Sequence, residues 1–160
     1  MEKEIKIKYQ CFNSAEELSN DDRKLFEKAL SAREKAYAPY SDFQVGCVIQ
    51  LENGELVSAN NQENAAYPSG LCAERAAIFW TAANYPDQKI SKLFVTGGPR
   101  KAKSNLPATP PCGACRQSIL EYETKQGTPI EISFASLDGE VITVSSVKDL
   151  LPFNFDGSFL

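Results

Sequence analysis

The chain has 160 residues, of which 42% are apolar and 24% charged, with a net charge of −4 and a pI near 5.0. That length supports one domain, 1–160, with a sizeable core, and the acidic balance argues against nucleic acid as a partner and for a small neutral substrate. Histidine is absent, which excludes Ser-His-Asp triads, Cys-His nucleophiles and His-Glu-x-x-His metal sites.

Ile5 and Ile7 alternate with Lys6 and Lys8, a pattern that predicts a short strand. Ser14 and Glu17 stand at capping-box spacing ahead of a short helix. Ser19 and Asp22 form a second cap, and Leu25, Phe26, Ala29, Leu30 and Ala36 mark one face of a helix over 21–36. Residues 1–18 form an N-terminal extension without a motif. Pro39 ends the helix, so 36–46 is a loop. A strand over 47–51, the turn Asn53-Gly54 and a strand over 56–60 make a hairpin. A polar loop over 61–71 leads to a helix over 72–84, apolar enough to predict burial on more than one side. A strand over 90–97 follows, then a polar loop over 98–110 with Lys101 and Lys103, to which no role is assigned. A helix over 112–124, a strand over 129–136, the turn Asp138-Gly139 and a strand over 140–145 come next. Ser145 or Ser146 caps a last short helix, and the tail carries Phe153 and Phe155. Strands alternating with helices, two of the links being tight hairpins, predict a layered α/β domain with a mixed sheet.

No apolar run approaches a membrane span, and residues 1–6 lack the apolar stretch of a secretory leader. The expected location is the cytoplasm, with no membrane partner. Five cysteines are an odd number, and Cys112 and Cys115 are spaced Cys-x-x-Cys. In a reducing compartment that favours metal or redox chemistry over a disulfide framework.

The chemistry concentrates in two stretches, Cys72-Ala73-Glu74-Arg75 and Pro111-Cys112-Gly113-Ala114-Cys115. Cys72, Cys112 and Cys115 can fill three corners of a Zn²⁺ tetrahedron and leave the fourth for water. Glu74 stands where it can move protons without binding the metal. Both cysteine motifs fall where a loop enters a helix, and the amide donors and dipole of a helix N-terminus favour thiolates. Arg75 and Arg116 directly follow cysteines and can each pair with a sulfur; Arg75 is the one expected to neutralise part of the cluster. A structural zinc site needs a fourth ligand, and the spare thiols, Cys11 and Cys47, suit that role poorly. A redox pair leaves Pro111 and the Cys72–Glu74 stretch unexplained.

The set resembles the zinc-deaminase pattern. Within it, residues 36–46, 61–75 and 111–117 are similar to the motifs of the compact, Cys₃-type cytidine deaminases that act on free nucleosides. The resemblance implies a three-layer α/β/α fold with a mixed five-stranded sheet. It implies zinc-dependent hydrolytic deamination of cytidine and deoxycytidine to uridine and deoxyuridine, with release of ammonia, as in pyrimidine salvage. Glu74 is then the catalytic acid and base. Asn61 and Glu63 match an Asn-x-Glu that reads the ribose, where an amide donor and a carboxylate acceptor can share the 3′-hydroxyl and its neighbourhood, Phe43 an aromatic wall for the pyrimidine, and Tyr40 a tyrosine of the same loop. Ala73 is a further implied substrate contact. Tyr67 and Phe155 look like residues through which neighbouring subunits complete each other's pockets, which implies a homotetramer with shared active sites. Ala59 stands where related sequences often have glycine. A tRNA or other nucleic-acid deaminase would want a basic surface and a histidine in the first motif, and a deoxycytidylate deaminase a basic, glycine-rich phosphate cradle. The alternatives retained are a deaminase of aminonucleoside antibiotics and a non-catalytic zinc-binding module.

Overall fold

The computed structural model describes residues 1–101 and 106–160; Lys103 lies outside them. In chain order the elements are β1 (Gln10–Phe12), α1 (Asn20–Arg33), β2 (Phe43–Leu51), β3 (Leu56–Asn60), α2 (Ala73–Asn84), β4 (Ile90–Pro99), α3 (Gly113–Gln126), β5 (Glu131–Ala135) and β6 (Val141–Val144). Single 3₁₀ turns at Ala15–Glu17, Tyr67–Ser69, Val147–Leu150 and Gly157–Phe159 complete them.

The strands form one mixed sheet in the order β1-β6-β5-β4-β2-β3. β4 and β5 are parallel, and α3 lies in the crossover between them; every other neighbouring pair is antiparallel. The two hairpins turn at Gly54 (φ +88°) and Gly139 (φ +99°), left-handed positions where a Cβ would be strained.

Side chains alternate across the sheet, and each face has its own core. Val48 and Phe94 point to α1 and pack with Leu25, Phe26 and Ala29. Cys47, Ile49, Leu93 and Val95 point the other way, into a core shared with Ala73, Ala77 and Ile78 of α2 and Ile119 and Leu120 of α3. The result is helix, sheet, helices: three layers. Gly46 lets α1 come close, since a Cβ there would stand 2.0 Å from the Ala29 carbonyl oxygen.

Local signals explain the helix ends. Ser19 Oγ accepts the Asp22 amide at 3.1 Å, and Asp21 and Asp22 stand in the first turn of α1, where the helix dipole favours negative charge. The end comes at Arg33, short of Ala36, because the Lys35 and Ala36 amides bond back only three residues and tighten the chain ahead of Pro39. Ser14 makes no side-chain cap; instead the Glu17 carboxylate accepts the Asn13 amide at 3.1 Å.

The N-terminal strand differs from expectation. Residues 5–8 are not a strand, and Ile5 and Ile7 are exposed. The strand is Gln10–Phe12, whose first rung pairs Gln10 with Thr143, close to the end of β6, so the residues upstream have no neighbour to pair with. This short edge strand makes the sheet six-stranded rather than five. The last helix is a single 3₁₀ turn, capped by Ser146, which accepts the Lys148 amide. α2 is not buried all round: Ala77, Ile78 and Thr81 face the core, while Phe79 and Trp80 are 42% and 51% exposed. β2 begins at Phe43, four residues earlier than its apolar run, because β4 continues to Pro99 and pairs with it there.

Candidate active site

Two helix N-termini meet at one end of the sheet. Cys72 is the N-cap of α2 and Cys112 the N-cap of α3, both in extended backbone, and Cys115 sits one turn further along α3. Their sulfurs converge: Cys72 Sγ is 3.8 Å from Cys112 Sγ, Cys112 Sγ is 3.5 Å from Cys115 Sγ, and all three lie within 4.8 Å of one another. Zn–S bonds of about 2.3 Å place tetrahedral sulfurs roughly 3.8 Å apart, so this spacing and an all-thiol donor set fit zinc. Among the described residues no fourth ligand of the kinds His, Cys, Asp or Glu joins the cluster.

Thiols this close compete for protons. The hydrogen bond from Cys115, above all, draws the Cys72 thiol down to about 5, against the cost of burial and with help from Arg75 and Cys112. Cys115 is pushed up in return, first by that same bond and then by its burial. The Arg75 guanidinium donates to Cys72 Sγ at 3.7 Å, so the cation expected beside the sulfurs is there. Arg116 points elsewhere. Its Nε donates to the Pro111 carbonyl at 2.8 Å and its Nη1 to the Leu150 carbonyl at 2.7 Å. Arg116 therefore pins the backbone just ahead of Cys112 rather than pairing with a sulfur.

Glu74, in the first turn of α2, is 4% exposed. Burial, and secondarily the negative charge at Cys72, raise its carboxyl to about 7. Beneath it Cys47 is fully buried, and burial followed by the Glu74 charge pushes its thiol well up, which leaves it an inert packing group.

Cys72, Glu74 and Cys112 open into a cavity of about 540 Å³. Its far wall is built by the loop before β2 and the loop after β3, and includes Tyr40, Phe43, Asn61, Glu63 and Tyr67. These loops are zipped together. The Tyr37 amide donates to the Asn61 carbonyl at 3.1 Å, and the Glu63 amide to the Tyr37 carbonyl at 2.9 Å. Asn61 Oδ1 accepts the Val45 amide at 2.8 Å, and its Nδ2 donates to the Phe43 carbonyl at 2.9 Å. Glu63 Oε2 accepts the amides of Tyr40 (2.9 Å) and Ser41 (3.3 Å), while Oε1 accepts the Ser41 hydroxyl. These bonds, the Ser41 hydroxyl first, hold the Glu63 carboxyl below its ordinary range.

Tyr67 packs edge-on to Tyr40 with ring centroids 6.1 Å apart. Ala73 is placed differently from a wall residue: as the first residue of α2 its methyl turns into the core. Phe155 is not on this cavity's wall either. It is 56% exposed, stacks on Phe159 at 5.2 Å, and its carbonyl accepts from Gln117. Sequence reading missed Ser41 and Thr109, which also line the cavity. Ser41 stands two residues before Phe43, but its partner is 22 residues away, so no local pattern marks it.

A family model described as "Cytidine and deoxycytidylate deaminase zinc-binding region" matches residues 19–128. A cytidine deaminase of Halalkalibacterium halodurans is 34% identical over 138 residues, covering 84% of this chain and 94% of the relative. A cytidine deaminase of Sporosarcina psychrophila is 37% identical over 135 residues, covering 84% and 91%. The crystal structure of a Burkholderia pseudomallei cytidine deaminase superposes with a TM-score of 0.71 at 35% identity, over 86% of this chain and all of that one. With the family model spanning both cysteine motifs and the loops that face them, the chain belongs to the cytidine and deoxycytidylate deaminase family.

Proposed function

We propose that this chain hydrolyses cytidine and deoxycytidine to uridine and deoxyuridine, releasing ammonia. The observation that carries the reading is the buried Glu74 carboxyl opening into the same cavity as converging thiols. Cys72, Cys112 and Cys115 hold the Zn²⁺ that the family description names. Bound there, zinc would supply Lewis acidity and make the attacking water easier to deprotonate.

The chain's own groups do the rest. Glu74 accepts the proton of the attacking water and passes it to N3 of the pyrimidine. The C4–O bond forms, Glu74 then takes the proton of the new C4 hydroxyl and delivers it to the amine, and as the C4 carbonyl forms the C4–N4 bond breaks and ammonia leaves. A carboxyl near 7 is matched to serve as base and then as acid. Phe43 forms the wall for the ring. Asn61 and Glu63 meet the sugar: the carboxylate retains an acceptor position on Oε1 beside the one that Ser41 fills. Ala73, with its side chain in the core, has its backbone to offer a substrate.

The active unit is a homotetramer in which Tyr67 and Phe155 of neighbouring copies complete the pockets. Supporting it are the exposed aromatics Tyr67, Phe79, Trp80 and Phe155, more apolar ring than one chain covers by itself. Three reduced thiols suit a cytoplasmic setting. An ultraviolet assay of the purified protein with cytidine, deoxycytidine, cytosine and deoxycytidylate tests the reaction: loss of absorbance is expected with the two nucleosides alone. Light scattering tests the assembly, and a fully active monomer removes the shared pocket.

A further inference from the structure

We propose that Ser41 is a positioning residue that couples the sugar-reading carboxylate to the ring wall, and so sets affinity for the nucleoside without taking part in the chemistry. The proposal rests on the reading above, in which Glu63 meets the sugar and Phe43 the pyrimidine.

The argument starts from the donor inventory. A serine hydroxyl has one proton to give and two lone pairs to receive. Here the proton goes to Glu63 Oε1, and one lone pair accepts the Phe43 amide at 3.0 Å. The Phe43 carbonyl in turn accepts from Asn61 Nδ2, and Asn61 lies two residues from Glu63. The bonds therefore close a ring, Glu63 to Ser41 to Phe43 to Asn61 and back along the chain. Both proposed sugar contacts and the proposed ring wall sit on it, and Ser41 is the one member with no proposed contact to substrate.

The ring has a reason to exist. Between Ser41 and Phe43 stands Asp42 with φ +56°, a left-handed conformation that is uncommon outside glycine and that aspartate adopts more readily than most. Arg100 grips Asp42 from outside, its amide on the Asp42 carbonyl at 2.8 Å and its Nε on the carboxylate at 2.9 Å. Ser41 grips the same turn from inside. A carboxylate offers about four acceptor positions, and the loop fills three of those on Glu63, leaving one on Oε1 with its direction set by the Ser41 hydroxyl. A sugar hydroxyl thus finds an acceptor already aimed. Without the serine hydroxyl, the Tyr40 and Ser41 amides still hold Oε2, but Oε1 loses the bond that aims it and Phe43 the bond that fixes its amide, and binding has to supply that order itself.

The test is a steady-state kinetic cycle on the zinc-loaded enzyme with cytidine and 3′-deoxycytidine. Ser41→Ala is expected to raise KM for cytidine about tenfold or more, the loss typical of a hydrogen bond to a charged group, with kcat within about threefold of the parent. Ser41→Thr, which keeps the hydroxyl, is expected to restore KM. In a Glu63→Gln background the Ser41→Ala effect on KM shrinks below about threefold, because the two act through one contact. A fall in kcat at unchanged KM, full additivity with Glu63→Gln, or failure of Ser41→Thr to rescue overturns the proposal. The underlying reading has its own check: Glu63→Gln must raise KM for cytidine more than for 3′-deoxycytidine. If it does and Ser41→Ala has no effect, only the role of Ser41 falls; if it does not, the sugar reading falls and takes this proposal with it.

Discussion

The two ends of the cavity are built by different means. At the thiol end, side chains project from the first turns of α2 and α3, and Glu74 and Cys115 are buried. At the opposite end, Tyr40, Phe43 and Tyr67 are 51%, 37% and 74% exposed and stand on a loop, on the first residue of β2 and on a 3₁₀ turn, in a region held by a mesh of side-chain-to-backbone hydrogen bonds. Helix termini packed on a sheet are rigid by construction, whereas loops become rigid only through bonds made for the purpose. Damage at the first end should therefore appear in the chemistry and in metal retention. Damage at the second should appear in affinity.

The largest effect belongs to Glu74. Glu74→Gln preserves size and burial but removes the proposed proton shuttle, and kcat should fall by about 10⁴-fold or more while zinc content stays at that of the parent. Metal analysis beside steady-state kinetics checks both halves. Turnover near the parent rate with zinc in place would falsify the assignment and with it the division between the two ends.

Arg75 comes next. Its guanidinium reaches Cys72 Sγ, and Arg75→Gln keeps a donor while removing the charge. Loss of an outer-shell partner typically weakens metal binding by about 10–100-fold. Chelator competition should show that drop, whereas Arg116→Gln, whose guanidinium holds carbonyls, should leave zinc affinity closer to the parent and lower stability instead. Equal losses of zinc from both variants would erase the distinction between a charge that neutralises and a clamp that holds backbone.

The thiol end was legible in the sequence and the end proposed to meet the sugar only partly so, for the same physical reason. Cys72, Glu74, Cys112 and Cys115 belong to short motifs at helix starts, where three or four residues of chain determine where a side chain points. The hairpin turns at Gly54 and Gly139 and the cap at Ser19 were readable on the same ground. What decides Ser41, Arg116 and Phe79 is far along the chain. Ser41 answers to Glu63 and Arg116 to Leu150. Phe79 and Trp80 are hydrophobic enough to predict burial, yet among the described residues Phe79 meets the ring of Tyr122 and Trp80 that of Tyr85 and both stay about half exposed, so the apolar pattern of α2 predicts more burial than this fold gives it. The strand expected over 5–8 failed for a related reason: alternation marks strand-ready residues, but a strand also needs a neighbour, and β6 runs out.

At the sugar end, Asn61→Ala removes two bonds at once, to the Val45 amide and the Phe43 carbonyl. The start of β2 then loses its side-chain rung. KM for cytidine should rise about tenfold or more, with a smaller change in kcat, and denaturant unfolding should show a stability loss of about 1–2 kcal/mol. A large fall in kcat without a change in KM would mean that the loop mesh governs the chemistry as well, and the two ends would not be separable.

The smallest effect serves as the outside control. Asp22 lies on α1, across the sheet from the thiol cluster, and pairs with Lys92 at 2.6 Å, the two side chains being 23% and 29% exposed. Burial alone would raise its carboxyl, but the hydrogen bonds from Lys92 and Ser19 and the Lys92 charge outweigh it, and the net shift is downward. A carboxylate whose folded-state pKa lies below its unfolded value adds stability above the unfolded pKa, and that contribution disappears as pH falls through the folded pKa. Asp22→Asn should therefore cost up to about 1 kcal/mol at neutral pH, as partly exposed ion pairs do, with the difference from the parent closing below roughly pH 4. Chemical unfolding at neutral and acid pH reads this directly. KM, kcat and zinc affinity should stay at parental values, because Asp22 touches neither end of the cavity. If this substitution moved KM by as much as Asn61→Ala does, the changes at the sugar end would be reporting general loosening of the fold rather than the placement of a carboxylate and an aromatic ring.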